Sequence, residues 1–200
     1  MTQVTVNVDL LRSEIEKTYT EVSTEPDKKF IFPTGRIWAE DLGYPPRELS
    51  RVPDATVESF AGVANPHSLG RIEEGATVLD LGCGAGTDLL IAAQMTGPAG
   101  RALGVDMTSS MLDRARASAR EMGLTNVELH QSLIESLPIP DASVDVIISN
   151  GVIDLVPDKD AVFDEIDRVL RPGGRLQIAD VVIHTEVSED ARDRIDLWTG

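Results

Sequence analysis

The chain has 200 residues, 42% of them apolar and 26% charged, with a formal net charge of −16. That length and composition suit one globular domain with a genuine core, or one domain plus a small cap. The acidity works against DNA, RNA or an anionic membrane as a large partner. No run is long enough to span a bilayer, no secretory leader is visible, and the single cysteine, Cys83, excludes a disulfide framework, so a cytoplasmic location is expected.

In chain order, residues 1–8 are expected to fray. Over residues 8–22, Leu10, Leu11, Ile15, Tyr19 and Val22 share one side of a helix, with Asp9 as a candidate cap. Pro26 and Pro33 break a loop, and Thr34 is placed to cap a short helix to Leu42 that Gly43 ends. Pro45 and Pro46 open another connection, and residues 53–61 hold one more short helix. These pieces predict an N-terminal helical cap over residues 1–60, with Phe30, Phe32, Trp38 and Phe60 buried against the open end of the unit at residues 61–200.

From Ala76 the pattern becomes regular. Residues 77–81 read as an apolar strand, 86–95 as a helix and 101–106 as a second strand. Thr108 begins a helix to Met122, on which Met111, Ala115, Ala119 and Met122 form an apolar stripe and Arg114, Arg116 and Arg120 form a solvated face. Gly123 ends it. Residues 127–130 and 144–149 are further strands, the latter a continuous apolar run suited to a central parallel position. Residues 158–170 predict a helix, 171–174 a tight connection, 175–183 a fifth strand, and Ser188 a cap for a last helix to Trp198. Alternating strands and helices predict an α/β fold with a doubly wound parallel sheet.

The first strand runs into Gly82, Gly84 and Gly86, and the second ends in Asp106. Strand, glycine turn, helix, strand and terminal acid describe a unit that holds a nucleoside, with Asp106 set to accept from ribose hydroxyls. The glycines run G-x-G-x-G, with Thr87 where a dinucleotide fingerprint has its third glycine. Asp80, two residues before the turn, opposes a pyrophosphate and suits a ligand with an ammonium group. S-adenosylmethionine has that ammonium, a ribose and no phosphate.

The segments D-L-G-C-G-A-G, G-V-D-M-T, D-A-S-V-D-V-I-I-S-N, L-R-P-G-G-R-L, S-N-G-V-I-D-L-V-P-D-K and D-L-W-T-G together resemble class I S-adenosylmethionine-dependent methyltransferases, within them the arsenite-methyltransferase-like group, from about Ser59 to Gly200. The resemblance implies a Rossmann-like fold with strand order 3-2-1-4-5. It also implies further strands after the fifth that this sequence lacks, leaving an exposed edge at strand five that could pair.

For the cofactor, the expected residues are Asp80, Gly82, Cys83, Gly84 and Gly86 around the methionine half, Asp106 on the ribose and Met107 on the adenine face. Leu133 stands where many relatives carry an Asp, which shifts adenine recognition to main chain near Ile134, with Glu135 orienting the loop or merely solvated. Asn150 could hold the ammonium or the substrate, or be a strand-end turn. Tyr19 resembles a tyrosine that closes over the cofactor, and is equally plausible as cap core. On the substrate side stand Gly151, Asp154 and His184. The three histidines, His67, His130 and His184, show no metal-ligand spacing and read as surface residues, so no metal site and no general base are assigned.

The resemblance further implies cysteine thiolates that hold arsenic. Val63 and Gly151 occupy two of those positions, and the third falls after Gly200. Soft-ligand capture of arsenite is therefore not expected. The sequence supports a small-molecule methyltransferase. A cofactor-binding protein without turnover and a nicotinamide-dependent oxidoreductase are the alternatives, the last opposed by Thr87 and Asp80.

Overall fold

The structure is a computed structural model that describes residues 6–25, 28–184 and 198. Five parallel strands lie in the order β3-β2-β1-β4-β5. They are β1 (Thr77–Leu81), β2 (Arg101–Asp106), β3 (Val127–Gln131), β4 (Val144–Asn150) and β5 (Leu170–Ala179). The carboxyl ends of β1 and β4 meet where the strand order reverses, which is where open α/β sheets bind ligands. β1 and β4 are buried almost throughout, as strands covered on both faces must be.

Helices α5 (Thr87–Thr96), α6 (Ser109–Glu121) and α7 (Lys159–Val169) cover the sheet. Ahead of them come α1 (Val8–Thr24), α2 (Gly35–Asp41), α3 (Pro46–Leu49) and α4 (Asp54–Val57), then a 3-10 turn at Pro66–Leu69. Ala39, Tyr44, Leu49, Val57 and Phe60 of this leading segment share one apolar cluster with Leu90, Ile91 and Ala119 of α5 and α6. Trp38 packs at its margin, while Phe30 and Phe32 join Tyr19, Val22, Ala85 and Met111 in another. The four cap aromatics thus divide among several sites, and Phe60 reaches the open end of the sheet.

Several local expectations need correction. Val6 is buried with Leu11, Ile15 and Leu155 rather than frayed. The cap of α1 is Asn7, whose Oδ1 accepts from Leu10 N at 3.0 Å, in place of Asp9. Arg114 is no solvated residue: its guanidinium donates to Ala55 O at 2.6 Å and to Ser23 O, fastening α1 and α4 to α6.

The Arg171–Gly174 segment is a bulge inside β5 rather than a connection before it. Leu170 pairs with Val144, but Arg175 already pairs with Val146. Pro172 has no N–H to give and Gly173 adopts φ +83°, so these residues loop out while the strand continues. β5 also stops at Ala179, short of Ile183. Beyond it the Asp180 carboxylate accepts from the N–H groups of Ile153 (3.0 Å), Asp154 (3.2 Å) and Val181 (2.8 Å), which turns the chain toward the β4 loop. Among the described residues β5 pairs with β4 alone. The helix expected at residues 188–198 lies outside the described residues except for Trp198. No helix among the described residues is long and apolar enough to cross a membrane.

Candidate active site

A cleft with about 990 Å³ of free space, partly open to solvent, sits over the carboxyl ends of β1, β2 and β4. Its floor is the glycine turn. Gly82 (φ +64°), Gly84 (+51°) and Gly86 (+95°) all lie in the left-handed region that β-carbons resist. A Cβ on Gly82 would fall 2.5 Å from Val152, so the turn also needs glycine to approach the β4 loop. Gly84 does not line the cleft, and neither does Gly86. Gly86 caps α5, and a Cβ there would press on Ala115 at 3.1 Å.

Asp80 and Asp106 both line the cleft. Asp106 Oδ2 accepts from Gly84 N and Oδ1 from Thr108 N, each at 2.8 Å, which fixes the carboxylate under the turn. Burial pushes its pKa up, against the pull of those N–H groups. Asp80 is 2% exposed, and its Oδ2 is buried with no hydrogen-bond partner. Burial, then the charges of Asp88 and Asp106, push its pKa well above the carboxylate range. A buried carboxylate oxygen without a donor is costly, and it fits a ligand that brings one.

Cys83 belongs to the site through its backbone, not its thiol. Cys83 N donates to Val105 O at 3.0 Å, while Sγ packs with Leu89, Ala93 and Ala102. Burial, then Asp106 and Asp80, push the thiol pKa well up, so it is no ready thiolate.

The cleft is also lined by Met107, Ile134, Glu135 and, from α1, Ile15 and Tyr19. The loop carrying Ile134 and Glu135 is braced by Arg168, which donates to Leu137 O (3.0 Å) and Ile139 O (2.8 Å). Glu135 is not merely solvated: its Oε1 lies 3.0 Å from the guanidinium of Arg12, which ties that loop to α1 across the mouth of the cleft. Tyr19 stacks on Phe32 at 6.0 Å, and burial, then Asp154 and Asp106, push its phenol pKa upward.

Asn150 lines the cleft, but its amide is fully engaged by protein. Oδ1 accepts from Val63 N (2.8 Å) and Ala64 N (3.3 Å). The two hydrogens of Nδ2 are shared among Ala64 O (2.8 Å), Tyr44 Oη (3.0 Å) and Asp88 Oδ2 (3.0 Å). The amide thus clamps the main chain of residues 63–64 at the edge of the cleft. Asp88, Tyr44 and His67 complete a buried network that sequence reasoning missed. Tyr44 Oη donates to Asp88 Oδ1 at 2.6 Å, and His67 Nε2 lies 3.1 Å from the same oxygen. His67, expected at the surface, has a side chain only 3% exposed. The available signal was an acid two residues past the third glycine, in the first turn of α5.

Gly151 lines the cleft and faces Val63: a Cβ on Gly151 would lie 3.3 Å from Val63 Cγ1. Asp154 and His184 do not line it. Asp154 shares a hydrogen bond with Asp180, and burial, then the Asp180 charge, bring its pKa to about 7; His184 is exposed. Among the described residues no group of three His, Cys, Asp or Glu side chains is placed to hold a metal ion.

Residues 72–199 match the family model described as a methyltransferase domain. The chain is 43% identical over 162 residues to an arsenite methyltransferase of Halobacterium salinarum, covering 81% of this chain and 41% of that protein. It is 44% identical over 126 residues to an arsenite methyltransferase of Aquipseudomonas alcaligenes, covering 60% of this chain and 36% of that one. Among solved structures, an arsenic(III) S-adenosylmethionine methyltransferase from Chlamydomonas reinhardtii superposes with a TM-score of 0.61 at 34% identity, covering 79% of this chain and 53% of that one. The chain therefore spans less than half the length of the two curated relatives. The turn, the acid at the end of β2 and the sheet order agree with this likeness: the chain belongs to the methyltransferase-domain family, as a class I S-adenosylmethionine-dependent, arsenite-methyltransferase-like member.

Proposed function

We propose that the protein transfers a methyl group from S-adenosylmethionine to a small organic acceptor, and that trivalent arsenic is not that acceptor. The cofactor supplies an electrophilic sulfonium methyl. Asp80 would receive its ammonium, Asp106 its ribose, and Met107 with the main chain near Ile134 its adenine. What the chain then contributes is alignment and exclusion of water, with α1 and the 62–64 strap walling the cleft. Such positioning lowers a bimolecular barrier by about 7–11 kcal/mol. We read residues 1–60 as the cap that shapes the acceptor end of the unit at 61–200.

The single observation that carries the acceptor reading is the meeting of Val63 and Gly151. The two positions at which the resemblance places thiolates do come together beside the cleft, and neither bears sulfur. Cys83, the one cysteine in the sequence, is buried with its thiol in the core. Trivalent arsenic is held by soft thiolate ligands, and an isopropyl group with a bare backbone offers none. The test is incubation with methyl-labelled S-adenosylmethionine and, separately, arsenite with a thiol reductant or a panel of alcohols, amines, phenols and thiols. Label in an organic acceptor and none in arsenic is expected. Methylated arsenic would overturn the acceptor assignment, and no transfer to any acceptor would leave a cofactor-binding protein.

A further inference from the structure

Asp80 and Asp88 stand on either side of the turn between β1 and α5, 2% and 7% exposed, and both line the cleft. Their surroundings treat them differently. Asp88 is held by two donors, Tyr44 Oη on Oδ1 at 2.6 Å and Asn150 Nδ2 on Oδ2 at 3.0 Å, while His67 Nε2 lies 3.1 Å from Oδ1 without a hydrogen bond. Asp80 receives the Leu89 N–H, and its Oδ2 has nothing. The other charged groups lining the cleft are Asp106, Glu135 and Arg12, and Arg12 is already paired with Glu135. No cation among the described residues reaches Asp80.

Two buried carboxylates that share one wall of a cleft repel, and the less supported one keeps its proton until a cation arrives. We propose that Asp88 is a second carboxylate for the cofactor's ammonium beside Asp80, and that Asp80 gives up a proton as the ammonium binds. This rests on the cofactor reading above. Asp88 is fixed in position by donors from the loop after α2 and from β4. Asp80, the partner with the orphaned oxygen, titrates. The groups that face it bear this out: Asp88 on α5 and Asp106 at the end of β2 raise its proton affinity, the Leu89 N–H lowers it, and the neighbouring Cys83 thiol and Tyr44 phenol are both pushed away from ionisation. The balance is one hydrogen ion leaving Asp80 for solvent as one ammonium enters.

The sign follows. In the free protein the Asp80 pKa is raised, and in the complex the ammonium lowers it, so binding releases a proton at any pH between the two values. Affinity then rises with pH through that window, by up to about tenfold per pH unit, and levels off above the raised value.

Calorimetry of S-adenosylmethionine binding across the pH range, with two buffers of unlike ionisation enthalpy at each pH, reads the proton count directly. The expected result is a buffer-dependent heat corresponding to release of up to about one proton. Asp80→Asn should abolish the release. Asp88→Asn, which keeps the shape of the Tyr44 and Asn150 contacts, should weaken binding and shrink the release. 5′-Methylthioadenosine, which lacks the ammonium, should bind with equal heats in both buffers. Equal heats for S-adenosylmethionine in the wild type, or release that persists in Asp80→Asn, would overturn the inference alone. Absence of any binding would overturn the cofactor reading and the inference with it.

Discussion

The side-chain amide of Asn150 occupies the space that a β-carbon on Gly62 would need: such a carbon would sit 2.3 Å from Asn150 Nδ2 and 2.7 Å from Phe60 Cζ. Gly62 is therefore the residue that lets the strap before the 3-10 turn close onto the end of β4. Gly62→Ala should destabilise the protein by about 1–3 kcal/mol through overpacking. Asn150→Ala should cost a similar or larger amount, because Asp88 and the main chain at 63–64 lose their partner. The double variant should be less unstable than the sum of the two, which urea denaturation of all four proteins measures. Strict additivity would mean the amide and the glycine do not share that space.

Introducing thiols at Val63 and Gly151 should create what the chain lacks. Val63→Cys with Gly151→Cys places two sulfurs close together beside the cleft. The cost is strain at Gly151 (φ +68°), about 1–2 kcal/mol for a residue with a β-carbon. The reduced double variant should bind phenylarsine oxide stoichiometrically by mass spectrometry, and the wild type should not. Equal binding by the wild type would show that arsenic is held elsewhere.

The Asp154–Asp180 pair carries a pH prediction. The Asp154 pKa is raised to about 7 by burial and by the Asp180 carboxylate. The folded protein thus binds a proton more tightly than the unfolded chain does. The stability this contributes is fully present below the ordinary carboxylate range and is lost as pH rises toward 7. Asp154→Asn removes the repulsion, so it should be more stable than wild type by about 1–3 kcal/mol above pH 7. The advantage should vanish in acid. Denaturation midpoints across the pH range check this, and an advantage independent of pH would contradict it.

The Arg12–Glu135 ion pair at the mouth of the cleft is partly exposed, so its contribution to folding should be small, about 1 kcal/mol or less. Its effect should appear in cofactor exchange. Arg12→Gln should speed dissociation of S-adenosylhomocysteine by up to about fivefold at low salt, and the difference should shrink as salt screens the pair. Stopped-flow displacement measures both, and a salt-independent difference would argue for lost packing instead.

The βαβ core was legible because its signals are local: an apolar run, three glycines at fixed spacing and a terminal acid lie within 30 residues or so of one another. The Arg171–Gly174 bulge was misread because proline and glycine look alike in a loop and in a strand that detours around them. The Tyr44–Asp88–His67–Asn150 network was invisible for a different reason. Its members come from the loop after α2, the 3-10 turn, α5 and β4, and no periodicity links them; only the packed sheet brings them together. The same limit hid the Asn150 clamp, since a strand-end amide gives no hint that backbone from residues 63–64 will meet it.

Trp38 offers one more consequence. Its indole Nε1 donates to Gly62 O at 2.8 Å, so the ring is hinged to the cleft wall at Gly62. With only two tryptophans in the sequence, replacing Trp198 by Phe leaves a solitary tryptophan at that wall, excited selectively over the two tyrosines at long wavelength. Emission from it would report arrival of an unlabelled compound, turning a library of metabolites into an optical screen that needs no turnover.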